Sequence, residues 1–537
     1  MIVSPHPPDK TAKRITPHRK IWYYCLAAGL LLGILISLII LLPEVRQFII
    51  LAIEQKVLNR ELQSPQIWIQ KLFYFSLAAI PSIILIGFLF LTSPGRKLAN
   101  KIELESKIAN QVYFSKEKLV EIISSEKFFT VFCLLSGFLV FSMAFFRAAN
   151  TGITHDEAFT YLYYVLPNIY DSFIRNPILN NHLLNSFCIR AVNFFSQSGY
   201  NELLIRFPNL IFYCIYLYFS FLIAKQYKNR FFIYILFISN YYLNEFFGLA
   251  RGYGMACACI NAACYFFEKW KISHINKRAD NYHFLCFMLF CSTGALSNSI
   301  TLYIILSFLL IINFKYRKDL LKLSYVPFYI IFFLSALYPI LFSNRGGEDV
   351  YSTYSIISSI MSLPNMFSNS RYPSFMIAVL SFLSFIYLSI KTRAKNDYCL
   401  ILAIFFIVCI VSQIIFNRGY PVMREMIPLY PVFVIIMANT LEYIPNWNIK
   451  KPLFLVCTIA LCLQFYLKID TKSTRDWNDN YSIRDMVYSY IASNDIIANR
   501  EEFQSFIEEN QESSGSFPVF IFYTVKAELF LKDRIEK

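Results

Sequence analysis

A run of about 20 apolar residues without a charge has essentially one way to fold, as a helix across a bilayer, because hydrocarbon obliges every backbone N–H and C=O to pair within the segment itself. The chain, 537 residues long, is assembled largely from such runs. They fall at residues 21–43, 70–92, 128–146, 203–224, 231–244, 252–267, 283–297, 299–314, 325–342, 373–390, 398–416, 427–441 and 452–468. Several are short, and the stretches 243–254 and 297–298 leave open one bent hairpin in place of two spans. Charge checks the count, since alternate loops should be cytoplasmic and carry Lys and Arg. The expected inner loops hold Arg96, Lys97, Lys101, Lys107, Lys116 and Lys118, then Lys225, Lys228 and Arg230, then Lys269, Lys271, Lys277 and Arg278. Lys315, Arg317 and Lys318, then Lys391, Arg393 and Lys395, then Lys450 and Lys451 continue the alternation to the last run. Lys10, Lys13, Arg14, Arg19 and Lys20 precede the first run, which is too long for a signal peptide and lacks a small-residue cleavage site. It reads as an uncleaved anchor with a cytoplasmic N-terminus.

Composition agrees. Only 16% of residues are charged and 56% are apolar, where a soluble domain has about a quarter charged. With 15 glycines and 18% aromatics, disorder and collagen-like repeats are excluded as well. A net charge of +15 would suggest nucleic acid in a soluble protein, but here it is spread through the cytoplasmic loops, so no nucleic-acid partner is expected. Most of the cysteines lie within apolar runs, with Cys188 outside them, so no disulfide framework is implied. Cys257, Cys259 and Cys264 inside one apolar helix read as small hydrophobes rather than metal ligands.

These features predict an all-α polytopic membrane protein of about 13 transmembrane helices. Residues 1–127 form a two-helix extension and cytoplasmic loop, 128–468 a transmembrane core, and 469–537 an extracytoplasmic tail. Three segments on the outer side are too long for simple turns: 147–202, 343–372 and the tail. The first contains helix-like stretches at 157–164 and 177–195 whose apolar residues are interrupted by polar ones, as in helices lying on the membrane surface. The tail has helix signals around Ser482 to Ile491 and a strand-like run, Phe517 to Tyr523, which together predict a small α/β domain.

The outer loops also hold the candidate chemistry. Asp156 and Glu157 are adjacent carboxylates just beyond the third run. If one is partly buried its proton affinity rises, which suits a general base, and otherwise the pair can bind a cation or favour a helix N-terminus. His155 and His182 are the outer-side histidines. His182 lies in the amide-rich stretch Asn176 to Asn185, and Asn181 and His182 offer hydrogen-bonding groups suited to sugar hydroxyls, or a helix cap. His155, Asp156 and His182 are also metal-ligand types, so a divalent metal is left open, although no spacing requires one. Arg251, within Gly248 to Gly254, and Arg418 and Arg424, within Asn417 to Glu425, are outer-side arginines that run against the orientation bias. A fixed guanidinium there can grip a phosphate, or it can snorkel to headgroups. The spans themselves hold almost no Asp, Glu, Lys or Arg away from their ends, which argues against an ion-coupled transporter and places the chemistry at the outer surface.

An Asp-Glu pair opening the first outer loop, an Asn/His-rich stretch about twenty-five residues on, and Leu204, Ile205, Arg206, Phe207, Pro208 opening the next helix together resemble the GT-C superfamily of integral-membrane glycosyltransferases. The similarity is to its protein O-mannosyltransferase and lipid A aminoarabinose transferase branch. Ala250, Arg251, Gly252, Tyr253 resemble that branch's Arg-x-Tyr element, and Arg424, Pro428 and Pro431 its late Arg and Pro-rich helix start. The resemblance spans about residues 128–440. It implies a polyprenyl-phosphate-linked sugar donor and a glycan, lipid or protein acceptor at the extracytoplasmic face of a bacterial inner membrane. By the same resemblance Asp156 is the base or acceptor-positioning carboxylate, Glu157 supports it, and His182 lies near the donor sugar. Arg251 and Arg424 hold the lipid phosphate, with Tyr253, Asn181, His155 and Arg418 beside the substrate. Two positions depart from the pattern. Leu249 stands where the family often has a Glu, Glu245 being the nearest substitute, and Asn181, His182, Leu183 replace a sequence typical of some members. A lipid-linked glycan flippase and an inactive membrane scaffold are the alternatives from other classes.

Overall fold

The chain divides into two compact units, Met1–Lys107 and Ile108–Lys537. The computed structural model describes residues 125–167, 182–196, 201–275, 281–316, 329, 371–393, 395–416, 423–443, 487, 505–506, 509 and 518–526, all in the second unit. The expected spans at 21–43, 70–92 and 452–468 lie outside the described residues, as does 325–342 apart from residue 329.

The run at 128–146 becomes helix α1 (Glu126–Asn150). It starts where the Ser125 hydroxyl accepts the Phe128 N–H at 3.2 Å, with Glu126 at its positive end and Arg147 in its last turn. Thr154 then opens α2 (His155–Thr160) with a capping box: its hydroxyl accepts the Glu157 N–H, and the Glu157 carboxylate accepts the Thr154 N–H. A π-helical turn, Tyr161–Val165, extends α2. Next come α3 (Leu183–Ser196) and α4 (Glu202–Ala224), the latter capped by Asn201. The expected single run at 231–244 is two helices, α5 (Arg230–Ile238) and α6 (Tyr241–Phe247), because the Asn240 side chain accepts the Leu243 N–H at 3.0 Å and starts a new helix. The buried carbonyls that α5 leaves open are taken by tyrosine hydroxyls: Tyr216 donates to Phe237 O at 2.9 Å, and Tyr430 donates to Leu236 O.

Helix α7 (Gly252–Ile275) is packed against α3, α4 and α6, and further elements follow it. These are α8 (Asn281–Ser297), α9 (Thr301–Lys315), α10 (Arg371–Lys391), α11 (Asp397–Phe416) and α12 (Tyr430–Tyr443), with a 3-10 segment, Met423–Leu429, leading into α12. Every residue from Gly252 to Cys264 is buried, so Cys257, Cys259 and Cys264 are thiols in packed core. Among the described residues no three His, Cys, Asp or Glu side chains are grouped to hold a metal. Glu126–Asn150, Glu202–Ala224 and Arg424–Tyr443 are long and apolar enough to cross a membrane, and shorter apolar helices accompany them. The outward faces agree with a lipid solvent: Phe314 is 80% exposed, Ile414 77% and Leu134 67%, a surface that water would penalise.

Helix ends that the charge pattern assigns to one side meet in the structure. Lys271 from the end of α7 and Lys315 from the end of α9 both pair with Asp397 at the start of α11, and Tyr316 donates to the same carboxylate at 3.0 Å. The Lys228 amide, just after α4, donates to Glu442 near the end of α12 at 3.0 Å. The opposite ends of α1, α4, α7 and α12 carry the candidate site.

One expectation is corrected. Residues 518–526 are helical where the run Phe517 to Tyr523 predicts a strand, and among the described residues there is no strand. Alternation and helical spacing are indistinguishable over so short an apolar run, and the contacts show which one operates. Val519, Phe520, Phe522 and Tyr523, at positions i, i+1, i+3 and i+4 of one helix face, share a cluster with Ile153, Ala158, Tyr161, Val165, Ile189, Ile205 and Ala250. Residues 518–526 are therefore packed against α2, its π-helical extension and α3.

Candidate functional site

Two arginine–carboxylate pairs lie next to each other where α1 runs into α2, and they are built differently. Glu157 is fully enclosed. Its carboxylate accepts Arg206 Nε at 2.8 Å and Arg206 Nη2 at 2.7 Å, together with the Thr154 N–H at 2.9 Å and the Ala250 N–H at 2.6 Å. Arg206, 0% exposed, sends its other N–H groups to the carbonyls of Ala148 (3.0 Å), Thr151 (2.7 Å) and Gly152 (2.8 Å). One guanidinium thus fastens the start of α4 to the end of α1 and to α2. Burial pushes the Glu157 carboxyl up, but Arg206 and the two amides outweigh it and hold the group below the usual carboxylate range. With both oxygens engaged, Glu157 is a structural anion.

Asp156 faces the other way. One of its oxygens lies 3.0 Å from Arg251 Nη2 and 3.6 Å from Arg424 Nη1. Asp156 is 8% exposed and Arg251 fully buried, whereas the Arg424 side chain is 31% exposed, so one guanidinium is enclosed by protein and the other is partly open to its surroundings. Arg251 comes from the turn before α7 and Arg424 from the 3-10 segment before α12.

The backbone that presents Arg251 is held from both sides. The Ala250 N–H is taken by Glu157, and the Ala250 carbonyl accepts Asn185 Nδ2 at 2.8 Å. Asn209 Nδ2 donates in turn to the Asn185 amide oxygen at 2.8 Å. Beside Arg251, whose Cζ lies 5.6 Å from the Tyr253 ring centroid, His182 is buried with its ring edge-on to Tyr253 at 4.9 Å. His182 Nδ1 is 3.0 Å from the Ser297 carbonyl at the end of α8. Burial, followed by the Arg251 charge, holds the imidazole well below its usual range, so it is neutral. Gly252 makes this approach possible: a Cβ there would meet Ser297 O at 2.0 Å and the His182 ring at 2.7 Å.

The structure therefore brings Asp156, Arg251, Arg424, His182 and Tyr253 together and sets Glu157 one layer behind them. His155 is half-buried on α2, its ring 6.4 Å from that of Phe159. Asn181 and Arg418 lie outside the described residues. Glu245, the candidate substitute for the family's Glu, pairs instead with Arg147 at 3.6 Å. Sequence reasoning missed Asn209, the Ser297 carbonyl and the clamp made by Arg206. Only Arg206 carried a usable signal, an arginine at the outer end of an apolar run, the same feature that singles out Arg251.

No family model and no curated protein matches the chain. Among solved structures it is similar to ArnT from Cupriavidus metallidurans in the apo state, at 11% identity and a TM-score of 0.44, over 75% of this chain and 76% of that one. It is similar also to the same protein bound to undecaprenyl phosphate, at 10% identity and a TM-score of 0.44, over 76% of each chain.

Proposed function

We propose that the chain is a membrane glycosyltransferase that moves a sugar from a polyprenyl-phosphate carrier to a cell-envelope glycan, lipid or protein at the extracytoplasmic face. The observation that carries the reading is the convergence of Arg251 and Arg424 on Asp156 beside a neutral His182. Two guanidinium groups converging on one carboxylate suit a phosphate-linked donor. A polyprenyl phosphosugar is a phosphodiester with one negative charge, and the carrier phosphate gains a second as it leaves. Arg251, locked by its backbone, is preorganised for that developing charge, while the more exposed Arg424 can meet the incoming lipid.

In the reaction the acceptor oxygen or nitrogen attacks the anomeric carbon, the bond from that carbon to the phosphate oxygen breaks with its electron pair, and Asp156 takes the acceptor's proton. Phosphate competes with Asp156 for the two guanidinium groups, so donor binding itself frees the carboxylate for this task. Glu157 works at one remove, holding Ala250 and therefore Arg251 in place. In this scheme the two arginines do the work of charge stabilisation. Incubating the protein in lipid with a panel of polyprenyl-phosphate sugars and an envelope extract tests the reading. Released polyprenyl phosphate is expected with at least one donor, and no release with any of them refutes it.

A further inference from the structure

We infer that His182 Nε2 is a permanently oriented hydrogen-bond acceptor for the substrate, so that the site selects a sugar presenting a hydroxyl or neutral amine at this point and rejects one presenting a carboxylate. The inference deepens the proposed function and rests on it.

A carbonyl oxygen can only accept. The 3.0 Å contact with Ser297 O therefore puts the ring hydrogen on Nδ1 and leaves Nε2 as a bare lone pair. That atom is buried and has no hydrogen-bond partner among the described residues, in a residue only 7% exposed. Buried polar atoms are rarely left in this condition without a reason, and a ligand that supplies the missing hydrogen is one. The ring cannot turn away to find another partner. Gly252 lies so close that a Cβ there would touch Cγ and Nδ1 at 2.7 Å, and the Tyr253 ring stands edge-on 4.9 Å away. Switching Nε2 to a donor would require protonation, which its surroundings resist in sum. Burial opposes a positive imidazole most, followed by Arg251 before α7, with Arg424 before α12 adding to it, and these outweigh the Ser297 carbonyl and Asp156 on α2, which favour one.

The site is thus divided by chemistry. Arginines take the phosphate end of the donor, and a fixed lone pair takes the sugar end. A carboxylate set against Nε2 would place two acceptors face to face with no hydrogen between them.

The test compares binding of a bare carrier, undecaprenyl phosphate, with binding of undecaprenyl-phosphate sugars, neutral and uronic, to wild type, His182→Leu and His182→Gln in lipid nanodiscs. The bare carrier should bind all three proteins alike. A neutral sugar should add affinity in wild type, the addition falling about tenfold in His182→Leu and largely returning in His182→Gln, whose amide oxygen can accept, while a uronic sugar adds none. Equal sugar-dependent affinity in wild type and His182→Leu overturns the inference even where the carrier binds. Failure of wild type to bind the carrier at all overturns the proposed function and the inference with it. If His182→Leu does not fold, the decision falls to wild type and His182→Gln: both should gain affinity from a neutral sugar and none from a uronic one, and equal gains from the two sugars overturn the inference.

Discussion

Replacing Arg206 with methionine removes the hub on which the site is mounted, and the cost can be worked from its contacts. The guanidinium makes five hydrogen bonds, two to the Glu157 carboxylate and one each to the carbonyls of Ala148, Thr151 and Gly152. Without it Glu157 keeps two amide donors but is a buried anion with no countercharge, a situation that costs about 3–5 kcal/mol. Each stranded carbonyl adds about 1–3 kcal/mol unless water reaches it, and the 0% exposure of Arg206 and of the Glu157 side chain argues that little does. Arg206→Met should therefore lose at least about 3–5 kcal/mol in detergent-titrated unfolding of the micelle-solubilised protein. Arg206→Met with Glu157→Met should recover a large part of that loss, because removing both charges removes the unpaired ion. A single mutant within about 0.5 kcal/mol of wild type, or two single effects that merely add in the double mutant, would refute the argument that this pair is a coupled, desolvated unit.

Other consequences can be measured separately. Asp156→Asn keeps the shape but removes the charge that Arg251 and Arg424 share, and transfer should be abolished with membrane insertion and expression intact; wild-type rates would remove Asp156 from the mechanism. Gly252→Ala drives a Cβ against Ser297 O and the His182 ring, and a loss of about 1–3 kcal/mol is expected in thermal unfolding, with an unchanged midpoint counting against the packing described. Tyr523→Phe strips the Ile153 N–H of the hydroxyl that accepts it at 2.8 Å, and about 1–3 kcal/mol should be lost, seen as faster proteolysis of the tail in wild-type lipid. His182 also sets a pH dependence. The unfolded chain takes a proton near pH 6.5, while the folded imidazole resists one, so stability should fall as pH drops below that point. His182→Gln should flatten that part of the stability profile, and an unaltered slope would show that the group is not held neutral.

Asp156, Arg251 and Arg424 were legible in the sequence because charge on the outer side of a membrane protein is scarce, and scarcity alone marked them. Helix existence was equally legible, since apolar runs such as 203–224 and 398–416 became helices within a residue or two of their expected ends. The distinction between Asp156 and Glu157 was not. Two adjacent acids look alike until the chain brings Arg206, 49 residues on from Glu157, to one of them, and the Ala250 amide to the same one. The break at Asn240 was hidden because a capping side chain inside an apolar run leaves the hydropathy nearly unchanged. The tail was misread because its docking partner, the Ile153 to Val165 segment, lies more than 350 residues away, and only that contact tells a helix face from strand alternation.

The central claim is that Arg251 and Arg424 form a phosphate site at the outer end of α7. A density map of the protein in lipid with undecaprenyl phosphate tests it most directly. The account predicts phosphate oxygens within about 3 Å of both guanidinium groups, with Asp156 withdrawn from at least one of them. A lipid phosphate bound elsewhere, with both arginines still on Asp156, would contradict it.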